Sequence, residues 1–157
     1  MSDIRQKILR ERDERIEKYG WTVVAVLPSH DQASYAYSVA FEQTFNHPEV
    51  LMVGFDPNLS QQIIAGVADG LKSRSLYLPP KGGRAAQVIQ DMDVLIRPVP
   101  EPKASQIAKG AAKHVAPKPL RLLQICLPDA EGRLPDDPAC DARFRELQDF
   151  EALESHS

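Results

Sequence analysis

Thirteen prolines in 157 residues constrain this chain more than any other feature of its sequence. A proline has no backbone N–H and a fixed φ, so it ends helices and is confined to the borders and edges of sheets. Ten of them gather at Pro79-Pro80, Pro98-Pro100-Pro102, Pro117-Pro119 and Pro128-Pro135-Pro138. The second half of the chain is thereby limited to short elements joined by stiff connections.

Between these breaks, hydrophobic spacing defines the elements. Ile4, Ile8, Leu9 and Ile16 share one face of a charged stretch, which predicts a helix over 3–19 closed by Gly20. Its six basic and five acidic residues are well mixed, as on a solvated face. Residues 21–27 and 34–41 read as the two strands of an antiparallel hairpin. In the second, Tyr35, Tyr37, Val39 and Phe41 fall on one face and Ala36, Ser38 and Ala40 on the other. A third strand covers 49–55. Asp56-Pro57 is a strong helix start, and Leu59, Ile63, Ile64, Val67 and Leu71 give the following helix, 57–71, its apolar face.

Further along, 85–90 fits either a helical turn or a strand. Residues 93–99 form a strand near a sheet edge, since Pro98 cannot donate to a ladder. An Ala-rich small helix spans 103–114, a buried strand 120–127 and a helix 141–153, with Phe144, Leu147 and Phe150 as its stripe; residues 154–157 fray. The sum is a single α+β domain over 1–157. It has about five strands in a mostly antiparallel or mixed sheet, with helices packed on one face. No G-x-G-x-x-G or Walker-type loop follows any strand.

Composition narrows the function classes. The chain is 43% hydrophobic and 26% charged, as an ordinary globular protein is. A net charge of −3 and a pI near 5.8 argue against bulk attraction to nucleic acid or anionic membrane. No apolar run approaches the roughly 20 residues needed to cross a bilayer, and the charged N-terminus has no secretory apolar region, so the cytoplasm is the expected compartment. Two cysteines give no disulfide framework: Cys126 reads as a buried small hydrophobe, and Cys140 as part of an acidic loop open to solvent.

One family resemblance covers most of the chain. The succession Gly20-Trp21-Thr22-Val23-Val24-Ala25-Val26, then Tyr35 to Phe41, then Asn46-His47-Pro48-Glu49-Val50 resembles a bacterial family known as domain of unknown function 4262. Arg97-Pro98-Val99, Leu123 to Asp129, Gly132, Pro135, Phe144 and Gln148 fit the same pattern, which places a family-like core at about 20–148. The sequence departs from it at Ala40-Phe41, where Gly-Leu is expected, and at Asp136-Asp137, where an aromatic follows the proline. The resemblance carries no activity with it.

Chemistry is therefore sought among the residues themselves. Tyr35, Tyr37, Ser38, His47 and Glu49 place two phenols, a hydroxyl, an imidazole and a carboxylate on neighbouring strands, with Arg97 available to pair with an acid such as Glu49. Such a group suits a polar ligand, a small molecule or a protein, in a non-catalytic binding module. That is the leading reading; the alternative is a small enzyme using His47 as acid/base with Glu49 orienting it. A third reading is an anion or nucleotide site at Lys81 and Arg84, flanking Gly82-Gly83. The acidic stretch 129–157, with nine acids against three bases, offers those cations a partner within the chain. His30, Asp31, His47, Glu49 and His114 lack metal-ligand spacing, so no metal is assigned, and no cofactor is indicated. Ser38, His47 and Asp31 or Asp56 make no hydrolase without a G-x-S-x-G elbow. The strand at 93–99 and the N-terminal helix offer surfaces for a homodimer.

Overall fold

The computed structural model describes residues 2–153; the fraying expected at 154–157 falls outside them. Helix α1 (Ser2–Tyr19) leads into β1 (Thr22–Val26), β2 (Tyr35–Val39), the one-turn helix α2 (Phe41–Phe45) and β3 (Glu49–Val53). Helix α3 (Pro57–Lys72) crosses to the hairpin β4 (Gly83–Ile89) and β5 (Met92–Pro98). Then come α4 (Lys103–Ile107), α5 (Lys109–Val115), β6 (Leu122–Cys126), α6 (Ala142–Leu147) and a 3₁₀ turn (Phe150–Ala152). One mixed sheet runs β1-β2-β3-β6-β5-β4, with β3 and β6 parallel and all other neighbours antiparallel.

The fold is α+β, with six strands where the sequence pattern gives about five. The added strand is β4, whose pattern is blurred because Gln87 takes a positive φ of 68° and the register to β5 shifts between Ala85 and Ile89. As the outer strand, β4 also displaces 93–99 from the edge: β5 lies between β4 and β6.

Helices cover both faces, which corrects the one-face expectation. On one side Ile63, Ile64 and Val67 of α3 pack with Ala36, Val50, Met52 and Ile125. On the other, Ala104, Ile107, Ala111 and Val115 of α4 and α5 pack with Tyr37, Val39, Leu51 and Leu122. The small side chains of α4 and α5 give little periodic signal, yet they let the helix backbone come close to the sheet. Strands β3 and β6, between the layers, are buried at every position. Helix α3 starts as its sequence demands, with the Asp56 side chain accepting from the Asn58 N–H at 2.7 Å. Leu59, assigned to its core face, is instead 41% exposed.

Helix α1 differs from the other long helix. Ile16 packs partly against the core, but Ile4, Ile8 and Leu9 remain 66%, 45% and 45% exposed. Its apolar stripe overhangs the sheet rather than joining the core.

Candidate functional site

The site residues sit where β2 ends. Ala40 takes a left-handed φ of 79°, which stops the strand alternation and turns the chain into α2. Glycine adopts this conformation freely and other residues do so at a cost. Because of this turn, Ala40 joins the core beside α5 and Phe41 the core beside α3, the reverse of their expected sides.

The first turn of α2 leaves backbone N–H groups without partners inside the helix, and no local side chain caps them. Glu49, at the start of β3, supplies the acceptors instead. Its Oε1 accepts from the Phe41 N–H at 3.0 Å and the Ser38 hydroxyl at 2.8 Å, and its Oε2 from the Glu42 N–H at 2.9 Å. Ser38 in turn accepts from the Val50 N–H at 2.9 Å. Glu49 is 1% exposed, and burial pushes its carboxyl up to about 7 despite hydrogen bonds that favour the charged form. Ser38 and Glu49 together clip β2, α2 and β3.

His47 stands apart from that clip. Its Nδ1 lies 2.7 Å from the Pro48 carbonyl oxygen, which can only accept, so the proton sits on Nδ1. Burial lowers its pKa below the ordinary imidazole value, and Arg121 pushes the same way, opposed by the Pro48 hydrogen bond and Glu42. Arg121 is itself clasped to Glu42 through Nε at 3.0 Å and Nη2 at 2.7 Å. Both oxygens of Glu49 are taken by other donors, so it does not orient the imidazole.

Tyr35 and Tyr37 face the α5 layer, their rings stacked with centroids 6.4 Å apart. The Tyr37 hydroxyl accepts the Gly110 N–H from α5 at 3.1 Å. Above this pair opens a cleft of about 590 Å³, walled by Ile4, Ile8, Leu9 and Ile16 of α1 and by Val39 and α5. Arg5, Arg12, Lys109, Lys113 and His114 also line it, with one acid, Asp13.

With this geometry in place, one comparison decides the family. A model of the family described as "Domain of unknown function (DUF4262)" matches residues 15–141. The chain belongs to the DUF4262 family. No curated protein and no solved structure matches it. Tyr37, Val39 and all of α5 fall inside the matched segment of this DUF4262 domain. The α1 wall from Ile4 to Asp13 precedes it, and Phe144 and Gln148 follow it.

Of the predicted groups, the DUF4262 domain joins Ser38 to Glu49 and Tyr35 to Tyr37, on different sides of the problem. Arg97 pairs in register with Gln124, which in turn pairs with Leu51, so it lies two strands from β3 and away from Glu49. Its charge acts on the buried Cys126, whose thiol burial pushes up to about 12. Cys140, expected in solvent, is buried too. Lys81 and Arg84 lie at β4, where Arg84 meets Asp136 at 3.7 Å and the Gly82 N–H donates to Pro79 O at 3.0 Å. Among the described residues no three His, Cys, Asp or Glu side chains converge as a metal site, and no helix is long and apolar enough to cross a membrane.

Sequence reasoning missed Arg12, Gly110 and the α1 wall. A signal existed for Gly110: glycine costs stability in a helix relative to alanine, and here it interrupts an Ala-rich segment. A Cβ at that position would stand 3.0 Å from the Tyr37 hydroxyl.

Proposed function

We propose that this DUF4262 domain is a non-catalytic binding module of the cytoplasm that holds a small molecule in the cleft between α1 and α5. One observation carries the reading: an opening of about 590 Å³ with aliphatic walls and a single buried phenol at its floor. That volume and lining suit a small organic ligand, since such sites are concave, mainly apolar and equipped with few polar groups. Ile4, Ile8 and Leu9 gain a reason for their exposure, because a ligand would cover them.

The acid/base reading of His47 draws less support, since its ring is tied to Pro48 and Glu49 serves α2. The anion reading at Lys81 and Arg84 is likewise weaker, with Arg84 already beside Asp136. A fragment screen followed by amide chemical shifts tests the proposal. Hits are expected to move Gly110, Val39 and Leu9 together. Hits confined to His47 or to 81–84 would refute it.

A further inference from the structure

The polar groups at the cleft floor specify the ligand's chemistry more narrowly. Tyr37 is 4% exposed, and its oxygen already accepts from Gly110. A phenol retains one proton to donate, and no acceptor for it occurs among the described residues. Burial raises the Tyr37 pKa, so that proton stays in place at neutral pH. Arg12 approaches the same spot: a Cβ built on Gly110 would lie 3.0 Å from the Tyr37 hydroxyl and 3.8 Å from an Arg12 Nη1. The bare Cα of Gly110 thus lets the Tyr37 hydroxyl lie against the α5 backbone, with the Arg12 guanidinium close by.

The surrounding charge has the same sense. Arg5, Arg12, Lys109 and Lys113 line the cleft against one acid, Asp13, and none of the four cations is in an ion pair among the described residues. Away from these two groups the walls turn aliphatic, with Ile8 and Leu9 on α1 and Val39 on β2. We propose that the cleft takes an amphipathic carboxylate, its head held by the Tyr37 O–H and the Arg12 guanidinium and its hydrocarbon tail laid along Ile8 and Leu9. A carboxylate has acceptor sites for both donors at once, and hydrogen bonds to an ionised partner are about twice as strong as neutral ones. This rests on the cleft being a ligand site, and the two ideas can fail separately.

The test titrates the full chain with decanoate and, in parallel, with 1-decanol, both below their aggregation limits, reading amide shifts and calorimetric affinity. Decanoate is expected to shift Gly110 saturably and to bind at least about tenfold tighter than decanol. Arg12→Gln and Tyr37→Phe should each weaken decanoate by about tenfold while leaving decanol within about twofold, a pattern that a folding defect would not produce. Gly110→Ala, whose methyl would crowd the Tyr37 hydroxyl without changing charge, should act in the same way. Equal affinity for decanoate and decanol at Gly110 would overturn the carboxylate assignment and leave the cleft reading intact. No binding of either would overturn both. Co-sedimentation with anionic phosphatidylglycerol vesicles, without binding of free decanoate, would replace the ligand with a membrane surface.

Discussion

Two polar groups on adjacent strands end in opposite situations. Glu49 is sealed, and both its oxygens accept from Ser38 and the first N–H groups of α2. Tyr37 is almost as buried, yet it keeps a proton and faces an opening. Burial and a shifted pKa are common to both, so neither distinguishes a structural polar group from a binding one. Unspent hydrogen-bonding capacity beside an open volume does. By that measure the proposed reading gives the Glu49 cluster to the fold and the Tyr37 cleft to a ligand.

Substitutions can break this comparison, and the largest effect should come at Glu49. Glu49→Ala leaves two backbone donors and the Ser38 hydroxyl without acceptors in a dry site, and should cost on the order of 4 kcal/mol in urea unfolding. A loss below about 1 kcal/mol would mean that the clip is not structural.

Next in size is a pH dependence. Glu49 titrates near 7 when folded and at about 4.5 when unfolded, so between those values the native state holds a proton that the unfolded chain has lost. Stability should therefore be greatest below about pH 4.5 as far as this group is concerned. It should then fall as pH rises through 7, by up to about 3 kcal/mol. His47, its pKa lowered, acts the other way below the ordinary imidazole value of 6.5. The quantity to measure is thus the difference between the wild type and Glu49→Gln, in which the fall should vanish. Parallel pH profiles for the two proteins would refute the assignment.

The cleft should respond in the opposite manner, with small changes in stability. Tyr37→Phe removes one acceptor from Gly110 and should cost about 1 kcal/mol, far less than Glu49→Ala. Smallest of all, Leu9→Ser on the exposed stripe should stay within about 0.5 kcal/mol in unfolding while weakening decanoate several-fold. A strongly destabilised Leu9→Ser would place α1 in the core and close the cleft.

Much of the fold was legible from local pattern. Asp56-Pro57 and the Ile63, Ile64 and Val67 spacing gave α3, and the runs at 49–55 and 120–127 gave the central strands. Where the reading failed, the cause lies beyond local pattern. Helix α2 is a single turn entered through a left-handed alanine, β4 is bulged at Gln87, and the alanines of α4 and α5 bury well with little periodicity. Tyr37, Ser38 and Glu49 each make the polar contacts that their residue types suggest. Their grouping was not legible, because it depends on which layer each enters and on contacts such as Tyr37 to Gly110, 73 residues apart. The overhang of α1 is likewise a tertiary fact, since an exposed and a buried apolar stripe look alike in sequence.

The contrast between the two regions reduces to one titration with two reporters. As decanoate is added to the wild-type chain, the Gly110 amide should shift saturably, while the Phe41 and Glu42 amides, held by Glu49, stay fixed. Movement of Phe41 and Glu42 with a stationary Gly110 would reverse the assignment of which polar cluster serves the fold and which the ligand.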